Sequence, residues 1–523
     1  MYRVIDSLGA VMWTRITPLI TRTRWLVAAT DPVEEHMHYS RWHSALAVTT
    51  AVLVGMLVAP LARGGDTVVE TDNEFGVART IHVGGFPVAA ESNEFFLDLG
   101  VNGRRCVTCH EPAANMTVTP AGLQKRFQDT GGTDPIFRLN DGSNSPLADV
   151  SSVGARYQAY SMLLRKGVIR VGIAIPANAE FELVDVKDPY GYAGKNLNGN
   201  ELSLFRRPLP TTNLAFLSTV MWDGRETIQK SDAAAIHFDL ADQANAATQG
   251  HAQAPSPITD AARNAIVAYE MGLFTAQVFD KRAGSLTAAG AAGGPDILAT
   301  QPFVFGGNDP LGCNPSGQSC TGANAAFDPV VFTIFDAWSG LKGGAREKAQ
   351  ASIARGQALF NRKEITIEGV SGINDDFGVA AVKGTCTTCH DTPHAGDHSV
   401  PAPLNIGVAD PPVPAHALGN GARNEFGLPV GDMPVYTLRK VVEPGAGEIK
   451  VVTDPGRALI TGRWADVGRF KGPILRGLSG RGPYFHNGAA ATLRDVIDFY
   501  DKRFALSLGE QEKADLVAFL RAL

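Results

Sequence analysis

The sequence predicts a mostly α-helical fold made of two similar units behind an N-terminal apolar segment. Apolar residues recur at helical spacing in four stretches, 258–277, 345–360, 492–504 and 508–523. We find no convincing alternation of apolar and polar residues, which is the pattern of a half-buried strand. The run Cys-Xaa-Xaa-Cys-His occurs twice, at 106–110 and 386–390, so each unit holds one copy and ends in a helix. This layout is typical of a duplicated small domain.

Each Cys-Xaa-Xaa-Cys-His run is the attachment sequence of a c-type haem. Two thiols about one helical turn apart can each add to a vinyl group of the same porphyrin, and the adjacent imidazole then reaches the iron. A zinc site or a redox dithiol is disfavoured because neither run has further Cys nearby to complete four soft ligands. We therefore expect two covalently bound haem c groups in two cytochrome c-like domains with long loops. The attachment residues are Cys106, Cys109, His110, Cys386, Cys389 and His390.

Composition narrows the class of protein. The chain has 523 residues and a formal net charge of -6, which leaves no basic surface for nucleic acid. It also contains 56 Gly and 31 Pro, so turns and loops should be abundant. Two buried porphyrins would supply the apolar mass that such a loop-rich chain lacks.

Residues 44–62 are uncharged and apolar enough to cross a bilayer. Arg15, Arg22, Arg24 and Arg41 precede them, which favours a cytoplasmic N-terminus and a periplasmic location for both motifs. The segment is either a cleaved signal peptide or a retained membrane-anchor helix, because no clear cleavage site follows it.

The predicted organisation has three parts: a leader at 1–65, a first haem domain at 66–340 and a second haem domain at 341–523. A Gly/Ala-rich insertion at 283–324 closes the first domain. Cys313 and Cys320 lie within it, and we expect a disulfide between them, with two free thiols as the alternative.

Three segments resemble the bacterial di-haem cytochrome c peroxidase superfamily, which includes the MauG-type enzymes. They are NGRRCVTCH (102–110), RRPLPTTNLAFLSTVMWDGRE (206–226) and FKGPILRGLSGRGPYFHNGAAATLRDVIDFYD (470–501). The resemblance implies that His110 and His390 are the proximal iron ligands. It also implies that the N-terminal haem meets peroxide, while the C-terminal haem relays electrons or stores oxidising equivalents.

The first haem is expected to be open on its distal side. Many members of the family place a closing His sixteen residues after the motif, and that position here is Arg126. We therefore expect a five-coordinate or water-bound iron. Met116 and Met162 are the alternative sixth ligands.

The resemblance also implies the residues that act between and above the haems. Trp222, in the Trp-Asp-Gly-Arg motif with Arg225, would carry charge from one haem to the other. An acid twenty residues later would move a proton between the peroxide oxygens, which points to Asp242. The register there is insecure, so the further candidates are Asp239, Gln243 and His251.

The distal ligand of the second haem separates the subgroups of the family. His486 belongs to the Pro-Tyr-Phe-His motif, and like Arg225 it is expected to help bind haem. Fourteen residues after it, where other peroxidases have Met, stands Tyr500, as in MauG-type enzymes. A phenolate favours ferric and higher iron states. Tyr500 also fits the buried stripe of an ordinary helix, and Met433 is the next candidate ligand.

Family members hold a calcium ion between the domains through an Asn side chain and backbone carbonyls. The matching position is Arg207, which cannot coordinate a cation, although the Arg481 and Pro483 carbonyls remain available. Calcium is therefore doubtful. His394 and His398, which follow the second motif, are expected to be loop residues or contacts of the haem propionates.

Taken together, the sequence predicts a periplasmic di-haem peroxidase that reduces hydrogen peroxide. Its electrons would come from a small donor protein or an oxidisable substrate. A di-haem oxygenase and a non-enzymatic electron-transfer cytochrome are the alternatives.

Overall fold

The computed structural model describes residues 67–192, 201–228, 233–310, 327–419 and 421–523, all within the unit Pro60–Leu523. The apolar segment 44–62 and the predicted Cys313–Cys320 disulfide lie outside the described residues. Within these ranges, no helix has both the length and the apolar character needed to span a bilayer.

The prediction of a mostly α-helical fold is wrong, because helices make up 30% of the structure and strands a further 17%. The α-helices are α1 (Pro120–Thr130), α2 (Val153–Ala159), α3 (Ser161–Lys166), α4 (Ala233–Gly250), α5 (Asp260–Met271), α6 (Pro295–Leu298), α7 (Ala345–Arg362), α8 (Ala458–Thr461), α9 (Leu493–Arg503) and α10 (Glu510–Ala522). The strands are β1 (Val68–Asn73), β2 (Gly76–His82), β3 (Ile169–Ala174), β4 (Phe181–Lys187), β5 (Glu201–Arg206), β6 (Leu273–Asp280), β7 (Gly284–Ser285), β8 (Ile365–Glu368), β9 (Ala381–Gly384), β10 (Val435–Lys440) and β11 (Ile449–Val452).

The described strands form four small antiparallel sheets. Their orders are β1-β2-β6-β7, β11-β10-β4, β3-β5 and β8-β9. Strand β4 precedes residue 340 and pairs with β10, which follows it, so one sheet joins the two parts of the chain. The division at residue 340 stays a prediction.

Strand β2 lacks the expected alternation because its buried face is not apolar. On β2 the fully buried side chains are Ala78, Thr80 and His82, which are small or polar. Each polar group has a partner: the Thr80 hydroxyl lies 2.8 Å from that of Thr275, and His82 Nε2 lies 3.1 Å from the Tyr269 carbonyl. Hydrogen bonding to a neighbouring element therefore replaces the expected alternation.

The predicted helix 258–277 is shorter than its apolar spacing indicates. Helix α5 ends at Met271, and after Gly272 the chain continues as β6, in which Leu273, Phe274 and Ala276 are all buried. A short apolar run fits a helix and a central strand equally well. Pairing with β2 decides in favour of the strand.

The other predicted helices are present as α7, α9 and α10. Helix α9 begins after Thr492, whose hydroxyl accepts a hydrogen bond from the Asp495 N–H at 3.1 Å, while the Asp495 carboxylate accepts from the Thr492 N–H. Helix α7 packs against α10 and places Phe360 beside His390, with ring centroids 5.9 Å apart. These helices therefore form one wall of the second motif.

Helices α7 and α10 approach closely at Gly356. A Cβ atom there would overlap the Asp515 carbonyl oxygen and lie 2.7 Å from Phe519 Cβ. Only a residue without a side chain allows this approach.

We predict that Gly356→Ala lowers the melting temperature. Helix propensity alone would favour Ala by about 1 kcal/mol, but the clash forces the helices apart at a cost of about 1–3 kcal/mol. Thermal unfolding of the haem-loaded protein shows whether the substitution lowers or raises the melting temperature. Gly154 on α2 is a matched control because nothing outside its own helix lies within 4 Å of the place that a Cβ atom would take, so Gly154→Ala should not lower the melting temperature. An unchanged or raised melting temperature for Gly356→Ala would contradict the close packing.

Candidate functional site

The first motif forms a single turn of 3-10 helix over Cys106–Thr108. The turn is closed by the Arg105 N–H, which donates to the Thr108 hydroxyl at 2.9 Å. His110 is held by its Nδ1 atom, 3.2 Å from the Met116 carbonyl oxygen. A carbonyl can only accept, so Nδ1 carries the hydrogen and Nε2 keeps a free lone pair. Burial lowers the pKa of His110 to about 4, which keeps the imidazole neutral.

The second motif repeats this geometry. It forms a turn over Cys386–Thr388, and His390 Nδ1 lies 2.6 Å from the Gly396 carbonyl oxygen. In both motifs the accepting carbonyl belongs to the sixth residue after the histidine. Burial lowers the pKa of His390 as well, so both imidazoles are oriented to offer Nε2 to a metal.

The cysteines do not have the properties of a metal-thiolate or redox site. Burial raises the pKa of Cys106 to about 12 and that of Cys109 to about 11, whereas reactive dithiols have a lowered thiol pKa. In the part of the chain that the structure describes, no group of three or more His, Cys, Asp or Glu residues is arranged to hold a metal ion. Half-buried thiols beside an oriented imidazole match thioether attachment of a porphyrin.

A cavity that is partly open to solvent lies beside the first motif; we call it the first cavity. Its walls are largely apolar. Cys106, Cys109 and His110 form part of its lining. A porphyrin attached to these thiols would fill the space.

Two arginines, the buried Arg476 and the half-buried Arg481, also bear on this fit. Arg476 is 1% exposed and donates to the His394 carbonyl at 3.1 Å, and Arg481 donates to the Ile474 carbonyl at 2.9 Å. Neither forms an ion pair with a described carboxylate, and the Nε atom of each lacks a hydrogen-bond acceptor among the described residues. Burial lowers the pKa of Arg476 to about 9 and that of Arg481 to about 10. A cation without an ion pair suits an anionic group, and haem propionates would supply one. The residues present therefore fit haem.

Trp222 and Arg225 both line the first cavity. The Trp222 indole N–H donates to the Arg207 carbonyl at 2.8 Å, and Arg225 pairs with Asp223 at 3.1 Å. His486 lies beside Trp222, with ring centroids 6.3 Å apart, and does not belong to the lining of the first cavity.

His486 also stacks on Phe470 at a centroid distance of 3.8 Å. Burial lowers the pKa of His486 to about 4, and its Nε2 atom has no hydrogen-bond partner among the described residues. Trp222, His486 and Phe470 thus form one aromatic cluster, which extends from the cavity wall into the protein.

The four distal candidates are placed differently. Gln243 and His251 line the first cavity, whereas the half-buried Asp242 is outside its lining. Asp239 is fully buried and accepts a hydrogen bond from the Ile228 N–H at 3.1 Å. Only Gln243 and His251 are therefore brought to the cavity.

His251 is oriented by a residue that sequence reasoning did not single out. Its Nδ1 atom lies 2.5 Å from a carboxylate oxygen of Asp141, which is 6% exposed. The other Asp141 oxygen pairs with Arg104, two residues before Cys106. Asp141 thus fixes the ring and leaves His251 Nε2 available. No sequence signal connects the two residues, because 110 positions separate them.

A second, more polar chamber adjoins the first cavity; we call it the polar chamber. His251, Gln243, Met221 and Arg225 belong to the walls of both. Glu226 lines the polar chamber but not the first cavity, and burial raises the pKa of Glu226. The distal candidates therefore stand between an apolar and a polar space.

Arg126 and the two alternative iron ligands of the first haem, Met116 and Met162, are not part of the wall of the first cavity. Arg126 pairs with Glu111 and Asp134 and donates to the Thr108 carbonyl at 2.8 Å. Met116 is fully buried and Met162 is 1% exposed, and neither belongs to the cavity lining.

Tyr500 is half-buried on α9, and its ring is stacked with that of Phe504 at 6.1 Å. Burial, together with the neighbouring thiols Cys389 and Cys386, raises the pKa of Tyr500 above its usual value. Met433 is buried in the hydrophobic cluster against which Tyr500 packs. Both residues thus lie in one cluster, and the choice of Tyr500 as ligand stays a prediction.

Arg207 occupies the position at which calcium was considered. Its guanidinium donates to the carbonyls of Val118 at 2.8 Å, Lys166 at 2.9 Å and Arg481 at 3.1 Å. It forms no ion pair with a carboxylate of the described ranges. Backbone carbonyls, including that of Arg481, therefore surround a side-chain cation.

The two histidines after the second motif differ. His398 is buried, with Nδ1 3.2 Å from an oxygen of Asp391, whereas the His394 carbonyl accepts from Arg476. Their predicted contact with haem propionates stays untested.

No protein-family profile matches the chain. A cytochrome c peroxidase of Denitromonas iodatirespirans is 27% identical over 240 residues, which are 44% of this chain and 54% of the relative. The methylamine utilization protein MauG of Methylophilus methylotrophus is 26% identical over 341 residues, 62% of this chain and 70% of the relative. The chain spans about half the length of the cytochrome c peroxidases that it matches.

A solved structure of a MauG-like protein associated with microbial copper homeostasis is 18% identical, with 63% of this chain and 75% of that chain covered. Its TM-score of 0.28 is too low to support an argument. The sequence relatives, together with the two repeated motifs, support a relationship to the MauG-like di-haem cytochrome c peroxidases.

Proposed function

We propose that the chain is a di-haem peroxidase that reduces hydrogen peroxide to two molecules of water in the first cavity. The reaction consumes two electrons and two protons, and the electrons come from a donor protein or an oxidisable substrate. The observation that supports this function best is the Asp141–His251 pair on the wall of the first cavity. A plain electron carrier has no need of an oriented acid–base group beside its haem.

The cofactor supplies a redox-active iron with a coordination position open to peroxide. Cys106, Cys109 and His110 would hold the first haem, and Cys386, Cys389 and His390 the second. Arg481 lines the first cavity, and its guanidinium, which lacks a carboxylate partner among the described residues, suits a propionate there.

His251 is the residue that we propose moves protons during peroxide cleavage. One oxygen of peroxide must lose a proton and the other must gain one. Asp141 engages Nδ1, so Nε2 is the atom that accepts and returns the proton. Gln243 offers an amide on the same wall, which can orient a small polar molecule by hydrogen bonds. Asp242 is the first candidate by position in the sequence. Outside the cavity lining, its contribution would be the effect of its charge on the pKa of Glu226.

Trp222 is proposed as the relay between the haems. It lines the first cavity, and its indole N–H is bound to a carbonyl, which cannot take the proton away. Its neighbour His486 extends the aromatic cluster toward the segment that leads into α9 and Tyr500. Tyr500 is the proposed distal ligand of the second haem, and the periplasm the proposed location.

The first prediction concerns His251. We expect His251→Gln to lower the rate of the peroxide reaction by about 100-fold, because general acid–base groups contribute about 10²–10⁴-fold. Glutamine keeps a donor for Asp141 and a similar size but cannot exchange a proton. Stopped-flow mixing of the ferric protein with peroxide measures the rate.

Asp242→Asn is the matched control on the same helix, and its rate should stay within about two-fold of wild type, as for an ordinary partly exposed substitution. If Asp242→Asn loses the reaction while His251→Gln keeps it, the assignment of His251 is wrong.

The second prediction concerns Tyr500. Tyr500→Met should convert the absorption and spin-resonance spectra of the second ferric haem to those of a His/Met haem and raise its reduction potential, since a thioether favours ferrous iron. Met433→Leu is the control and should leave those spectra unchanged. The reverse pattern, with Met433→Leu altering the haem and Tyr500→Met silent, identifies Met433 as the ligand.

The alternative functions have distinct outcomes in the same protein. Two low-spin six-coordinate haems without peroxide turnover would indicate an electron-transfer cytochrome. Consumption of dioxygen without added peroxide would indicate an oxygenase. Either result overturns the proposed peroxidase.

A further inference from the structure

Glu270 is a buried acid that neither the motifs nor the proposed mechanism uses. It lies in the last turn of α5, is 4% exposed and belongs to the wall of the first cavity. Its Oε2 atom is fully buried and meets no hydrogen-bond donor among the described residues. An ionised carboxylate in such a place is costly, so the group stays protonated unless a positive charge appears nearby.

Two other buried acids near the cavity have cationic partners, which Glu270 does not have among the described residues. Asp141 pairs with Arg104, and Asp223 pairs with Arg206. No ion pair joins Glu270 to a cation of the described ranges.

Cys106 and Tyr269 are electrostatically coupled to Glu270. The other titratable or charged residues that line the same cavity are Cys109, His110, His251, Arg104, Arg105, Arg206, Arg207, Arg225, Lys471 and Arg481. Cys106 loses its ionisable thiol when it becomes a thioether. Burial alone raises the pKa of Glu270 to about 8, with no charged neighbour contributing to the shift.

We propose that Glu270 is the proton-holding group of the first haem site. Glu270 takes up one proton from solvent when that haem gains an electron, and releases the proton to solvent when the electron leaves to an oxidant. The inference rests on haem attachment at Cys106, not on peroxide turnover. Glu270 balances the charge of the haem by holding or releasing a proton and does not contact the substrate.

The direction of the effect follows from charge. A ferrous porphyrin core carries no net charge, whereas a ferric core is positive and favours the carboxylate. The pKa of Glu270 is therefore lower beside the oxidised haem than beside the reduced haem. Between these two values, the reduction potential of the first haem falls as pH rises.

The test is a redox titration of the haem-loaded protein between pH 5 and pH 9. In wild type we expect the potential of the first haem to fall with pH below about 8, by up to the 59 mV per unit of one proton per electron, and to level off above it. Glu270→Gln keeps the shape and polarity of the side chain but cannot ionise, so its potential should not vary with pH in this range. A slope in Glu270→Gln equal to that of wild type, or no slope in wild type, overturns the inference.

Glu226→Gln is the matched control. Burial raises the pKa of Glu226 as well, but this residue lines the polar chamber and not the first cavity. Its variant should keep the wild-type slope. If the reduction potential no longer varies with pH in Glu226→Gln but keeps the wild-type slope in Glu270→Gln, the proton belongs to Glu226 and the proposal is overturned.

A measurement on wild type alone covers the case in which Glu270→Gln fails to fold or to load haem. Infrared difference spectra between the reduced and oxidised protein should show a protonated carboxyl band that disappears on oxidation below pH 8 and shifts in heavy water. Absence of this band overturns the inference. Peroxide consumption is measured separately, so a protein that shows the band without turnover contradicts the proposed function and leaves the role of Glu270 intact.

Discussion

Arg206 is the ion on which the arrangement between the two motifs depends. Its guanidinium pairs with Asp223, which follows Trp222, and with Asp454 of the C-terminal part at 2.8 and 2.9 Å. All three side chains are almost completely buried, and removing one partner from such a group costs about 3–5 kcal/mol. Arg206 also lies over the ring of Phe470, on which His486 stacks. The position of Trp222 against His486 therefore follows from one buried charge network.

The next residue, Arg207, is also a buried arginine, but its guanidinium binds backbone carbonyls instead of carboxylates. Arg207 donates to backbone carbonyls from three separate segments, and its own carbonyl accepts the indole hydrogen of Trp222. Its backbone N–H donates to the His486 carbonyl at 2.6 Å. Carbonyl groups that would otherwise be buried without donors are satisfied by a cation that is part of the chain. The aromatic cluster is thus held from both sides by consecutive arginines.

The repeated motifs show how local sequence can encode a site twice. In each, a turn of 3-10 helix presents the histidine, a carbonyl six residues later binds Nδ1, and a phenylalanine lies beside the ring. The surroundings then diverge. The first motif opens on a large cavity with His251 and Glu270 on its wall, whereas Tyr500 and Met433 lie in the cluster near the second. Different long-range neighbours can therefore give two similar motifs different chemistry.

The sequence alone determined the features that depend on short spacing: the two Cys-Xaa-Xaa-Cys-His turns, the helices α7, α9 and α10, and the Trp222 motif. These rest on bonds and contacts between residues a few positions apart, so their pattern is visible in the chain. Tertiary structure decided the rest. The strands β2 and β6 exist because their polar groups pair across the sheet, and Asp242 lies outside the cavity wall because α4 turns Gln243 toward it instead. Packing between distant segments brings Asp141 to His251 and leaves Glu270 without a partner among the described residues. No local sequence pattern predicts such contacts.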